Sequence, residues 1–294
     1  MDPPGRLDDT DDVTDALTLL AHLNLSAASG LVVHAGSLFT VADNRLAVLR
    51  TTLEGSELGL IPIRPGTSSR PLQKRDKPDF EAVVAWGRTL LVLGSGSGPG
   101  RSAGVQLDPD TGAVRVLDLS PLYRSLGAHL SELNIEGGVV VADQLILAQR
   151  GNGAGNENAL VLLDCLVVER ELHAGALTGR GLRQVLPVRL GTLGGVPLSL
   201  TDVSLLPSAD LVFTAAAEAT SSPWEDGAVE GSVIGVMDCA GQVASAPLAV
   251  VKGLKLEGVC VVPAGQSLEL RLVADPDDDA ARAPLFRLPW PPGA

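Results

Sequence analysis

Aromatic side chains are scarce in this chain of 294 residues, at 3%. Any core must therefore be filled with Val, Leu, Ile and Ala, and apolar residues at 45% are ample for a large one. Cysteines number three, Cys165, Cys239 and Cys260, with no CxxC pair. An odd count, spread through apolar runs, argues against a disulfide framework and reads as small buried thiols in a reducing compartment. No run of about 18 apolar residues occurs, which excludes a spanning helix. The opening Met1–Asp9 has neither a basic nor an apolar leader region, and the expectation is a cytoplasmic protein. Basic residues are in deficit: the net charge is −13. That argues against nucleic acid and membrane as partners and favours attraction of cations. The Gly94–Gly100 run is no phosphate loop, because it lacks GxxxxGK[ST] and leads into a strand, so no nucleotide cofactor is expected. No G-x-S-x-G elbow and no Ser-His-Asp arrangement is present.

What the chain does have is a repeat. Ser29-Gly30-Leu31-Val32-Val33, Glu81-Ala82-Val83-Val84, Glu136-Gly137-Gly138-Val139-Val140, Thr201-Asp202-Val203-Ser204-Leu205 and Glu257-Gly258-Val259-Cys260-Val261 follow one another at 52, 55, 65 and 56 residues. Each opens on an oxygen-bearing side chain, enters an apolar strand, and reaches a Gly- or Pro-marked turn before another strand. Repeats of this kind, with several strands per unit, are the signature of a β-propeller. The prediction is an all-β, five-bladed propeller spanning residues 1–294, with blades near 26–65, 78–120, 134–192, 198–252 and 254–290. The last blade is one strand short. The apolar run 15–25 can supply that strand and close the ring, or can form a short N-terminal helix. A further short helix is expected from Ser120 to Leu133, where Leu122, Leu126 and Leu130 share helical spacing. The stretch Glu171–Arg183 reads as an inserted loop.

The residue that opens each repeat heads the strand nearest the axis. Ser29, Glu81, Glu136, Thr201 and Glu257 thus converge, with Asp202 an alternative to Thr201. Three crowded carboxylates repel one another unless protons or a cation intervene. A hard cation with six to eight oxygen ligands resolves the conflict, and Ca2+ suits three Glu, two hydroxyls and water. Zinc is disfavoured, since none of His22, His34, His129 and His173 shares the repeat position. The competing explanation is that these Glu side chains bond backbone N–H groups of neighbouring blades and simply hold the ring together.

A second set of polar residues ends the second strand of each unit: Asp43 with Asn44, Ser95 with Ser97, Arg150 with Asn152, Glu218, and Asp275. They lie in longer loops, where binding groups concentrate on a rigid scaffold. Asp43, Ser95, Arg101, Arg150, Asn152 and Glu218 are candidates to hold a small polar or anionic ligand, with Lys74, Arg75 and Lys77 nearby. Alternatively these loops are flexible connectors with solvated charges. Asp277-Asp278-Asp279 reads as solvated.

The order Ser29, Glu81, Glu136, Thr201, Glu257 resembles the axial ring of five-bladed, calcium-dependent nucleotidases of the apyrase type, with Thr in place of a Ser. Lys77-Pro78-Asp79-Phe80-Glu81, Leu133-Asn134-Ile135-Glu136-Gly137 and Gln149-Arg150-Gly151-Asn152 are similar to segments of an uncharacterised family of bacterial propeller proteins. The resemblance implies one axial Ca2+ and metal-dependent hydrolysis of a small phosphorylated or anionic substrate. Trp224 is the aromatic candidate to stack on a base. The alternative is a non-catalytic propeller that binds a ligand or a protein, its Glu ring structural.

Overall fold

In strands buried on both faces, successive side chains must be apolar yet point in opposite directions. Leu145 and Leu147 enter one core while Ile146 and Ala148 enter the next. Leu90 and Val92 are separated from Leu91 and Leu93 in the same way. The computed structural model describes residues 12–64, 78–220, 227–244 and 249–291. Among them it shows five antiparallel sheets. Five apolar clusters lie between adjacent sheets, so a blade is held by its neighbours rather than by a core of its own.

Strand β1 (Thr18–His22) precedes blade one, which comprises β2 (Ala28–His34), β3 (Ser37–Ala42), β4 (Ala47–Thr51) and β5 (Glu57–Pro62). Blade two has β6 (Phe80–Trp86), β7 (Thr89–Gly94), β8 (Ala103–Leu107) and β9 (Val114–Asp118). Blade three has β10 (Ile135–Val141), β11 (Gln144–Gln149), β12 (Ala159–Asp164) and β13 (Leu182–Pro187). Blade four comprises β14 (Thr192–Leu193), β15 (Val196–Leu205), β16 (Leu211–Ala219), β17 (Ala228–Met237) and β18 (Ala249–Lys252). Its extra strand β14 folds back on β15 through Gly194-Gly195, both at positive φ, and has no counterpart in the sequence reading.

Blade five joins β19 (Lys255–Ala264), β20 (Ser267–Asp275) and β21 (Pro284–Trp290) to β1. β1 pairs antiparallel with β21, Thr18 opposite Arg287 and His22 opposite Pro284. The N-terminal run is thus the closing strand, and the helix alternative is not formed. Leu23 and Leu25 follow it into the core shared by blades five and one. The inner strands β2, β6, β10, β15 and β19 pack side by side in a closed circuit. No helix among the described residues is long and apolar enough to cross a membrane.

Helix α1 (Ser120–Leu126) is the expected inter-blade helix, shorter than predicted. A second helix, α2 (Cys165–Ala174), corrects the inserted loop: it begins before that stretch and occupies its first residues, 171–174. Asp164 caps it by accepting from the Val167 N–H at 3.0 Å, and Gly175 ends it in the left-handed conformation at φ 79°. Val168 and Leu172 bury its inner face. The apolar run through Leu163 hides this start, because the capping Asp164 also ends β12. The three cysteines are all free, but only Cys260 is buried; Cys165 and Cys239 are half-buried.

Candidate functional site

Each inner strand carries a register shift against its partner at the same place. The skipped residue is Ser29 in β2, Glu81 in β6, Glu136 in β10, Thr201 in β15 and Glu257 in β19. A bulge bends the strand and re-aims one side chain. The five residues that open the sequence repeats are therefore five equivalent bulges at one end of the axis.

The antiparallel register brings two more sets of side chains to this end. One lies two residues before each bulge: Asp79, Asn134, Ser199 and Lys255, with Ala27 in blade one. The other ends the second strand: Asp43, Ser95, Arg150, Glu218 and Asp275. In blades two and three their backbones pair directly, the N–H of Ser95 donating to the Asp79 carbonyl at 2.9 Å and that of Arg150 to the Asn134 carbonyl at 2.8 Å. Lys255 faces Asp275. The set before the bulge was not picked out from the sequence, although it carries much of the chemistry. Its signal is the period of two along the strand, applied backwards from each anchor.

Arg150 stands at the hub. Its Nη2 donates to Glu218 Oε2 at 2.6 Å, its Nη1 reaches Glu136 Oε1 at 3.4 Å and Glu257 Oε1 at 3.5 Å, and its Nε donates to Ser199 Oγ at 3.3 Å. Lys255 adds a second cation, with Nζ 3.4 Å from Glu257 Oε1 and 3.1 Å from Asp277 Oδ1. Asp277 is thus a rim partner rather than a solvated charge, and Asp279 likewise accepts from Asn44 Nδ2 at 3.0 Å. Asn134 Nδ2 donates to Glu136 Oε1 at 2.6 Å and to Asn152 Oδ1 at 3.2 Å. None of the three ring glutamates accepts a backbone N–H among the described residues, so the bonds expected of a purely backbone-glued ring are absent there.

The two hydroxyls of the ring are used locally. Thr201 donates to the Leu256 carbonyl at 2.7 Å, and Ser29 to the Ala27 carbonyl at 3.3 Å while accepting the Asp43 N–H. The neighbouring Asp202 turns its carboxylate across the axis. It accepts the N–H groups of Val203 at 2.8 Å and Val259 at 2.9 Å, and the Leu31 N–H also acts on it. Gly137 allows that approach: a Cβ there would lie 2.8 Å from Asp202 Cα. Beyond Asp202 the opposite end of the axis is apolar, a cavity of about 200 Å3 walled by residues such as Val33, Val84, Val139, Leu205 and Val261.

A third group lies off the axis, where blades one and two meet. Carboxylate oxygens of Asp43, Asp79 and Glu81 fall within 4.8 Å of one another. Asp79 has φ 56°, unusual for a residue with a side chain. Its Oδ2 accepts from Ser95 Oγ, from Ser97 Oγ at 3.2 Å and from Arg101 Nη1 at 2.8 Å. Glu81 takes no hydrogen bond and no ion pair among the described residues. Burial pushes its pKa well above the usual carboxylate range, and Glu136, Asp79, Asp43 and Glu257 push it in the same direction. Burial likewise lifts Glu136 to about 8 against the pull of Arg150. It raises Glu257 too, despite Arg150 and Lys255. Glu136 Oε2 and Glu257 Oε2 are buried without any hydrogen-bond partner.

All six ligand candidates from the sequence reach this end: Ser95 and Arg101 around Asp79, Arg150 and Glu218 at the hub, Asn152 beside Asn134, and Asp43 beside Glu81. Both guanidiniums are already committed to carboxylates. Lys74, Arg75, Lys77 and Trp224 lie outside the described residues. Among the described residues, Asp79 pairs with Arg101, and Glu136, Glu218, Glu257, Asp275 and Asp277 pair with Arg150 or Lys255.

Solved structures similar to this chain are distant. A hydrazine synthase from Kuenenia stuttgartiensis is 13% identical over 92% of this chain and 60% of its own, with a TM-score of 0.42. A structure of a nidogen/laminin complex is 14% identical over 87% and 78%, with a TM-score of 0.42. A candidate gluconolactonase is 8% identical over 98% and 97%, with a TM-score of 0.41. The chain thus spans about three fifths of the hydrazine synthase chain. No curated protein matches. Residues 24–289 match the model of a family of unknown function, DUF6929, and the chain belongs to that family.

Proposed function

We propose that this propeller binds a divalent cation, Ca2+ by preference, at the acidic end of its axis, and through that cation a small polar or anionic ligand. The observation that carries the reading is the set of unclaimed carboxylate oxygens. Glu136 Oε2 is buried without a partner, and Glu81, raised by burial and by neighbouring carboxylates, takes no hydrogen bond among the described residues. A buried charge left in that state costs several kcal/mol, which a hard cation or a proton relieves. The donor set is all oxygen, which suits Ca2+ over softer metals. The resemblance of the ring to calcium-dependent nucleotidases supports the same choice. Because Arg101 and Arg150 are spent on carboxylates, an anionic ligand would depend on the cation for its counter-charge. When bound, such a cation supplies Lewis acidity toward a phosphoryl or carbonyl oxygen, so hydrolysis of a small phosphorylated substrate is the reaction to screen first.

One observation favours a structural role for part of the ring. Arg150 and Lys255 neutralise Glu136, Glu218 and Glu257 across blades three, four and five. On this reading those contacts brace the ring, while Glu81 remains for the cation.

The test is thermal unfolding of EDTA-stripped protein titrated with Ca2+, Mg2+ and Mn2+. A ligand at about 100 times its Kd stabilises by about 2.7 kcal/mol. For a protein of this size that corresponds to a rise in Tm of about 5–10 °C. The expected result is a rise of that order, largest with Ca2+. No response to any cation would leave only the structural role of the ring.

A further inference from the structure

We infer that the seat of the cation is the off-axis group Asp43, Asp79 and Glu81, and that the centre of the five-residue ring is already served by Arg150. This rests on the cation reading above and assigns it residues, of which only Glu81 belongs to the ring. Two oxygens bound to one ion at about 2.4 Å can be no more than about 4.8 Å apart. The three carboxylates meet that limit.

Asp79 is built as a ligand would be. Three donors, Ser95, Ser97 and Arg101, fix its Oδ2, which leaves Oδ1 as the oxygen available to an ion. Partners of this kind orient a metal-binding carboxylate and set its basicity. The Arg101 guanidinium is held there in turn by Ser97 Oγ at 2.8 Å. A second observation is independent of the cluster. Glu136 is only 3% exposed and its Oε2 has no partner. Among the carboxylates that act on Glu81, Glu136 acts most strongly, and Asp79 acts on Glu136 in turn. Glu81 and Glu136 are the equivalent bulges of β6 and β10, which pack side by side, so the blade adjoining Glu81 carries a buried, unpaired oxygen. On the other side of the ring, Glu136 Oε1 and Glu257 Oε1 share Arg150 Nη1, and Lys255 also holds Glu257. A guanidinium and an ammonium do there what a metal would otherwise do.

The experiment is calorimetric titration of CaCl2 into EDTA-stripped full-length protein and into Asp79→Asn, Asp43→Asn, Ser95→Ala and Glu257→Gln, each checked for a cooperative unfolding transition. Asp79→Asn should weaken Ca2+ binding at least ~100-fold, as expected for loss of a charged ligand, and Ser95→Ala about 10-fold through loss of orientation. Glu257→Gln should change the Kd by less than about threefold. Asp43→Asn serves if Asp79→Asn does not fold, and should lose at least ~10-fold. Unchanged affinity in the Asp79 and Asp43 variants, or a loss in Glu257→Gln as large as theirs, would overturn the assignment and return the ion to the ring centre. No Ca2+ binding by the wild-type protein would instead defeat the cation reading itself.

Discussion

Arg150→Met is expected to destabilise the protein by about 3–5 kcal/mol, because it leaves buried carboxylates without their cation. Arg150 is 5% exposed and holds Glu136, Glu218 and Glu257, which come from three blades. Removing it does more than delete contacts: it strands charges that cannot reach water. The fall in Tm should be on the order of 10 °C. It should also depend on pH, with a definite sign. Burial already raises Glu136 and Glu257, and Arg150 is what pulls both down. Without Arg150 the folded state holds protons on these groups that the unfolded chain has released above its ordinary carboxylate range. Stability then declines as pH rises, so the deficit of the variant should be larger at pH 8 than at pH 5.5. Adding Glu218→Gln to Arg150→Met should recover part of the loss, since the shortest ion pair of the hub, 2.6 Å, joins these two residues. A pH-independent loss below about 1 kcal/mol, measured by denaturant unfolding, would show that the hub contributes little.

Removal of residues 1–25 should abolish cooperative folding. β1 is the outer strand of blade five, and without it β21 presents an unpaired edge. Leu23 and Leu25 are 2% and 1% exposed in the core between blades five and one, and Leu20 packs against them. Truncating a core leucine costs about 2–5 kcal/mol. Loss of several reaches the whole stability of about 5–15 kcal/mol typical of a domain. The expected outcome is aggregated protein on size exclusion and no sigmoidal melt by circular dichroism. A soluble monomer with Tm within about 5 °C of the full chain would mean that closure by β1 is dispensable.

The fold was legible because the propeller repeats one device. An oxygen-bearing residue at the head of an apolar strand marks each inner strand, followed by Gly or Ala in four of the five, and the spacing of those marks counts the blades. The bulges explain why the marks are visible: the re-aimed residue breaks the apolar run at the same point in each unit. The closing strand was legible through a shortage, since blade five lacked a partner for Pro284–Trp290. Helix α2 was missed because its cap, Asp164, also ends a strand, and a four-residue apolar stretch from Cys165 fits either period. The two-residue β14 carries too few side chains to show a pattern at all.

At the site, the sequence showed which residues share a ring but not how charge is divided among them. Arg150 reads in sequence as a loop cation awaiting an anion. In the fold it lies inward, because the backbone of Arg150 pairs with that of Asn134 beside Glu136. Asp79 was written in the sequence within Lys77-Pro78-Asp79-Phe80-Glu81, yet its role depends on register: Ser95 sits opposite it only because β6 and β7 pair as they do. Asp202 was seen as a stand-in for Thr201, whereas in the fold the two have separate tasks.

The most direct measurement is anomalous diffraction from crystals of EDTA-stripped protein soaked in MnCl2, with and without competing CaCl2. The account predicts one strong peak among Asp43, Asp79 and Glu81, reduced by Ca2+. No peak at this end of the axis, at Mn2+ concentrations that saturate binding in solution, would contradict it.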